Sequence, residues 1–244
     1  MKTSPRKSLP AVVLAVAALL CAGGTLSGLA KTTAARLQER AQVLSPDRGR
    51  FRILVDGQPL GSETFEILWQ GSQWLSRGQT EIRTPEGKSA RVRAELKLNA
   101  DGAPLAYDWS AQGEKESSAA ITFEGGTARM SLHLKGAQPF TQEFQFNSPR
   151  VVILDNNMFH HYAILAGLYD WKAKGSQSFA VLIPQDLTPG SITVDSAGAV
   201  QSPRGTLEML RVRSSDLEVE VYLDESRRLV RLAVPASKAE VVRE

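Results

Sequence analysis

From Phe51 onward the side chains alternate between apolar and polar with a period of two, and this pattern constrains the fold more than any other feature of the chain. Phe65, Ile67 and Trp69 alternate with Thr64, Glu66, Leu68 and Gln70. Val92, Ala94, Leu96 and Leu98 alternate with Arg91, Arg93, Glu95 and Lys97. The same holds for Met130, Leu132 and Leu134, for Phe140, Phe144 and Phe146, and for Val219 and Val221. Successive side chains on a strand point to opposite faces, so each run has one buried and one wetted face, as antiparallel strands do. Turn residues separate the runs at short intervals: Asp56-Gly57 and Gly61, Pro85-Glu-Gly87, Asn99-Ala-Asp-Gly102, Glu124-Gly-Gly126 and Gly136. Strand, turn, strand at this spacing predicts a meander, with about eight strands before residue 147 and about four or five after Phe179. The later set is expected at 179–183, 191–194, 205–213, 217–223 and 228–234. The expected fold class is mainly β: a large curved antiparallel meander, a spiral β-roll or half-barrel, with one buried helix.

That helix is expected where the pattern breaks. Val151–Leu154 reads as a fully buried strand that runs into Asp155-Asn156-Asn157. A helical stretch follows, from Met158 to about Tyr169. Asp155 or a neighbouring asparagine is its expected N-cap, because a short polar side chain accepts the free N–H groups of a first turn. Met158, Tyr162, Leu165 and Tyr169 share one face, and Phe159, Ile164 and Leu168 make most of the remainder apolar. Such a helix packs on the concave face of the sheet or plugs its mouth.

The opening hairpin, Phe51-Arg-Ile-Leu-Val-Asp-Gly57 followed by Gly61-Ser-Glu63-Thr-Phe-Glu-Ile67, resembles that of uncharacterised exported bacterial proteins with a spiral β-roll. Those proteins are distantly similar to periplasmic lipoprotein carriers and their outer-membrane receptors. The resemblance covers residues 50–235 in length and strand order. It implies a curved half-barrel with an apolar interior and supplies no catalytic residues.

The first thirty residues read as a cleaved signal peptide. Lys2, Arg6 and Lys7 precede an uncharged stretch with an apolar core at residues 11–20, and Gly28 and Ala30 are small residues at the −3 and −1 positions of a cut before Lys31. The alternative is an uncleaved anchor over residues 8–30. Lipidation of Cys21 meets a steric objection in the preceding Leu20. Residues 31–49 form a lead-in with a short helical pattern, and residues 50–244 a single β-rich domain.

The expected location is therefore periplasmic or secreted, with membrane contact only through the N-terminal segment if it stays uncleaved. The chain carries 29 Lys and Arg against 26 Asp and Glu, and all three of the excess basic residues lie in residues 1–30. The remainder is neutral overall, so the basic balance is not a nucleic-acid footprint. The single cysteine, Cys21, also lies in that segment. A processed chain holds no thiol and no disulfide.

One cluster is dense enough to carry chemistry: Asp155, Asn156, Asn157, His160, His161 and Tyr162. It contains two of the three histidines of the chain. A ligand site at the helix start is the functional reading. The structural reading is that Asp155 and the asparagines cap the helix while the histidines bond to surrounding backbone. Adjacent histidines on a helix point about 100° apart, so they do not jointly bind one metal. His133 is expected to be solvated. The four tryptophans are expected in the core or at its rim. No Gly-x-Ser-x-Gly elbow, His-Glu-x-x-His pair, P-loop or dinucleotide fingerprint is present. No catalytic residue, metal or cofactor is assigned. The function expected is that of a non-enzymatic envelope protein binding an apolar small molecule, a lipid or an envelope protein. A hydrolase-like enzyme using Asp155–Tyr162 and a purely structural interaction domain are the alternatives.

Overall fold

The computed structural model describes residues 43–83, 87–113, 116–148, 150–203 and 205–244. The expected signal segment and the lead-in up to residue 42 lie outside the described residues. Among the described residues, fifteen strands form one curved, unclosed sheet. The first eight are β1 (Asp47–Val55), β2 (Gln58–Gln70), β3 (Gln73–Arg83), β4 (Ser89–Leu98), β5 (Pro104–Gln112), β6 (Ser117–Glu124), β7 (Thr127–Leu134) and β8 (Phe140–Gln145). A short strand, β9 (Val151–Ile153), then leads into the helix α1 (His161–Leu168). The chain returns through β10 (Gln177–Ile183), β11 (Thr188–Ser202), β12 (Gly205–Arg213), β13 (Glu218–Leu223), β14 (Leu229–Val234) and β15 (Ala239–Arg243). Residues 47–49, grouped with the lead-in by sequence, begin β1.

The lateral order is β8-β7-β6-β5-β4-β3-β2-β1-β15-β14-β13-β12-β11-β10-β9. The chain thus builds one wing from β1 outward to β8, crosses through α1, and builds the second wing back to β1. Every pairing is antiparallel except β9 with β10, which is parallel. A parallel pair needs a crossover, and α1 supplies it. The two end strands do not pair with each other; the Gln142 amide on β8 donates to the Leu187 carbonyl beyond β10 at 3.2 Å.

Local chemistry accounts for the meander. Asp56 and Gly57 both have positive φ, 53° and 75°, the conformation a two-residue hairpin turn requires. The alternation then fixes which side is buried. Val92, Ala94, Leu96 and Leu98 are all buried, and Arg91 and Arg93 between them are exposed.

Several expectations need correction. Leu134 and Phe140, placed on a buried face by alternation, are exposed at 48% and 47%. They flank the hairpin to β8, an end strand with only one neighbour, so nothing covers them. The helix starts at His161 rather than Met158. The residue before it, His160, makes no side-chain capping bond, and neither Asp155 nor the asparagines cap it. Asp155 instead accepts the Asn157 N–H on its own side chain at 2.7 Å, closing a local turn ahead of the helix. β11 extends well past the expected 191–194, and β15 was not expected.

Candidate functional site

The segment 155–162 crosses the inner face of β2, β3 and β5, where its polar groups meet polar side chains of the sheet. Glu63 on β2 is fully buried, as are Ser76 and Thr80 on β3. Glu63, Ser76 and Thr80 share the inward phase of Phe65, Trp74 and Ile82, so the alternation turns them toward the core.

Glu63 is the anchor. Its Oε2 accepts the Phe159 N–H at 2.9 Å, and its Oε1 accepts the His160 N–H at 3.5 Å and bonds the His160 Nδ1. The other ring nitrogen, Nε2, lies 2.8 Å from Ser76 Oγ. The Thr80 hydroxyl donates to the Asn157 carbonyl at 2.5 Å. A carboxyl group on a strand thereby takes over the part expected of Asp155, holding the free N–H groups ahead of the helix.

Asp155 organises the other side. It accepts the Tyr107 hydroxyl at 2.5 Å and the Gln185 amide at 2.7 Å. Its own N–H donates to His161 Nδ1 at 3.4 Å. The two histidine rings meet edge to face at 4.8 Å, and the His160 ring stacks on Phe65 at 5.2 Å. The stack continues through Phe51 to the Arg243 guanidinium, which is bound to Asp47 at 2.6 Å. Gly78 makes room for this packing. A Cβ there would lie 2.6 Å from His160 Cε1 and 2.7 Å from Met158 Sδ.

Burial governs the protonation states. Desolvation pushes both histidines down to about 3, so the rings are neutral at ordinary pH. Desolvation pushes Glu63 well above the usual carboxylate value, against the pull of the two backbone N–H groups. Both shifts favour the uncharged forms of Glu63 and His160, whose Oε1 and Nδ1 face each other. Burial, then Asp155, raises the Tyr107 hydroxyl. Burial raises that of Tyr162 to about 12. Both remain donors.

Tyr162 and Phe159 point away from this network toward a different environment. With Leu154, Asp155 and Asn156 they form one wall of a cavity of about 340 Å³. The facing wall is aliphatic: Ile53 on β1, Ile192 on β11, Val212 on β12, Val219 on β13, Leu232 on β14 and Val241 on β15. Val55 and Leu217 at its strand-end rim are exposed at 38% and 46%. A larger concavity, about 820 Å³, lies on the outer face of β1–β5. It is a groove between charged rows with ion pairs such as Arg77–Glu95 at 2.7 Å, the ordinary dress of a wetted sheet face.

The structure thus gathers Asp155, Asn157, His160 and His161 into one buried network and puts Asp155, Asn156 and Tyr162 on the cavity wall. Glu63, Ser76, Thr80, Tyr107 and Gln185 belong to the same network and were not singled out as site residues from sequence. The signal available was the inward phase of Ser76 and Thr80 between Trp74 and Ile82. His133 is on the surface beside Ser131, 3.1 Å away. Trp74 is fully buried, and Trp69, Trp109 and Trp171 are partly buried against the core. Among the described residues no group of His, Cys, Asp and Glu is arranged to hold a metal ion.

The fold and cavity define an open, β-barrel-like sheet protein with a polar plug and an apolar chamber. A crystal structure described as a β-barrel-like protein of the domain of unknown function DUF1849, from Brucella abortus, is similar with a TM-score of 0.56. The two share 11% identity, and the match covers 82% of this chain and 95% of that one. A DUF1089 family protein from Pseudomonas aeruginosa aligns with a TM-score of 0.46 and 11% identity, over 72% of this chain and 90% of that one. No family model and no curated protein matches the sequence.

Proposed function

We propose that this is an exported, non-enzymatic protein of the cell envelope, periplasmic or secreted, that shelters the apolar part of a small ligand in the chamber beside the 155–162 segment. The carrying observation is the 340 Å³ cavity, walled mostly by aliphatic side chains of the sheet. Its size is at the small end of ligand sites, and its lining has the usual form of an apolar wall with a few polar groups at one side. Those groups are Asp155, Asn156 and Tyr162; Asn157, His160 and His161 hold the segment in place. The Tyr162 hydroxyl makes no hydrogen bond among the described residues and is a free donor at the wall. On this reading the protein resembles the periplasmic lipoprotein carriers in using a concave apolar surface. Export rests on the charge and hydropathy pattern of residues 2–30.

A hydrolase-like role would use Ser76, His160 and Glu63, whose order is that of a nucleophile, a base and its orienting acid. Ser76 is 1% exposed and His160 is fully buried, so a substrate carbonyl has no approach to the hydroxyl. A role through protein contacts draws on a separate observation, the exposed Leu134 and Phe140 at the β7–β8 hairpin.

Native mass spectrometry of the protein purified from the cells that make it, before and after organic extraction, tests the ligand reading. The expected result is a lipid-sized mass that extraction removes and that Tyr162→Ala no longer retains. A clean apo mass from native cells would sink the ligand reading and favour a protein partner.

A further inference from the structure

The cavity ends where β2 begins and β3 stops, and Leu60 and Ile82 form its wall there. The same two side chains line a second concavity of about 650 Å³, on the outer side of the sheet. Four arginines border that cleft, Arg50, Arg52, Arg83 and Arg91, against two acids, Glu81 and Glu244. Both acids are engaged: Arg91 lies 2.9 Å from Glu81, and Arg50 lies 3.1 Å from Glu244. Across the strands Arg52 faces Ser62, and Arg83 faces Ser89. Both arginines are exposed, and neither has an acidic partner among the described residues. Two guanidinium groups without an acidic partner among the described residues therefore line the cleft that shares Leu60 and Ile82 with the apolar chamber.

We propose that the cavity and the arginine cleft form one site for an anionic single-chain amphiphile. The alkyl chain lies against Ile53, Val212 and Val241, and the head group reaches past Leu60 and Ile82 to Arg52 and Arg83. This rests on the ligand-binding reading above and names its substrate class. The Asp155 carboxyl on the cavity wall does not receive the anion. Its oxygens already accept from Tyr107, Gln185 and the Asn157 backbone, and they offer no donor. The guanidinium fork matches the planar carboxylate and the phosphate alike. The small cavity volume admits one chain rather than two.

The test titrates lipid-stripped full-chain protein at low salt with dodecanoate, dodecyl phosphate, dodecan-1-ol and dodecyltrimethylammonium, each below its aggregation concentration. Isothermal calorimetry is the readout. The anions are expected to bind about tenfold more tightly than the alcohol, the sum of two exposed charge contacts, and the cation more weakly still. Preference for dodecanoate over dodecyl phosphate assigns a free fatty acid, and the reverse preference a phosphate-headed lipid. In the Arg52→Gln/Arg83→Gln double variant, with its melting temperature unchanged, the anions fall to the affinity of the alcohol, which itself stays constant. Equal affinity for all four heads overturns the arginine site and leaves the chamber standing as an apolar pocket. Absence of binding by every chain overturns both.

Discussion

On the inner face of β2–β5 the buried side chains include Glu63, Ser76, Thr80 and Tyr107 among apolar neighbours. On the inner face of β12–β15 they are aliphatic: Leu210, Val212, Val219, Val221, Leu232 and Val241 among them. The same segment, 155–162, faces both walls and behaves differently against each. Toward β2–β5 it is bonded group by group, with Glu63 holding two backbone N–H groups and the His160 ring. Toward β12–β15 it leaves space. Directional bonds have one good geometry, so a polar wall fixes the position of what packs on it. An aliphatic wall offers attraction without direction, and nothing draws the segment across to fill the gap. The chamber exists because the plug is tethered to the other side.

The largest expected effect tests that tether. Glu63→Ala removes the partner of the His160 ring and the acceptor of the Phe159 and His160 backbone; at about 1–3 kcal/mol for each buried group left unsatisfied, it is expected to cost about 3–5 kcal/mol in urea denaturation. The Phe159 and His160 amides should then exchange faster than those of β3. A loss below about 1 kcal/mol would show that the polar wall does not hold the segment.

Acid comes next. Both histidines have folded values of about 3 against an unfolded 6.5, so their contribution is complete above pH 6.5 and is lost as the unfolded chain takes up protons below it. Glu63 acts in the opposite sense. Its folded value lies well above the unfolded 4.5, so its contribution is complete below pH 4.5 and is lost as pH rises toward the folded value. The two histidines therefore destabilise the fold as pH falls below 6.5, and Glu63 opposes them as pH falls toward 4.5. In His161→Gln the loss of stability on acidification below pH 6.5 should shrink in melts taken across that range; an unchanged loss would place the titration elsewhere.

The smallest effect contrasts the two walls directly by adding carbon to each. Gly78→Ala puts a methyl against His160 and Met158 and is expected to destabilise by about 1–3 kcal/mol. Val219→Ile adds a methylene to the chamber wall and is expected to be neutral or to stabilise by about 0.5–1 kcal/mol. Equal penalties in thermal melts would mean that the chamber is not open space.

The meander was legible because Val92–Leu98 and Val219–Val221 alternate strictly, Phe65–Trp69 does so but for Leu68, and Asp56-Gly57 reads as a tight turn. β3 was harder. Its inward residues are Trp74, Ser76, Gly78, Thr80 and Ile82, and the polar and glycine members erase the apolar signal that marks a buried face. β15 was missed because its burial pattern has a single buried residue, Val241. The density of the 155–162 cluster was visible, but its partners were not. Glu63 and His160 are 97 residues apart, and no local spacing links them. The expected cap, Asp155, was plausible by type. It lost the part because Tyr107 and Gln185 claim its oxygens and Glu63 reaches the N–H groups first.

The join between β1 and β15 brings the first of the fifteen strands against the last, with Phe51 facing Arg243. Chains are made from the N-terminus, so β1 emerges first and its second neighbour last. Throughout synthesis β1 and β2 form a hairpin whose outer side carries unpaired N–H and C=O groups, a ready template for a foreign strand. The wing from β2 to β8 has local pairings and can close quickly, while the central seam must wait for β15. A helper that binds this chain as it is made therefore has one edge above all to cover, and release of that edge is timed by the arrival of Ala239–Arg243.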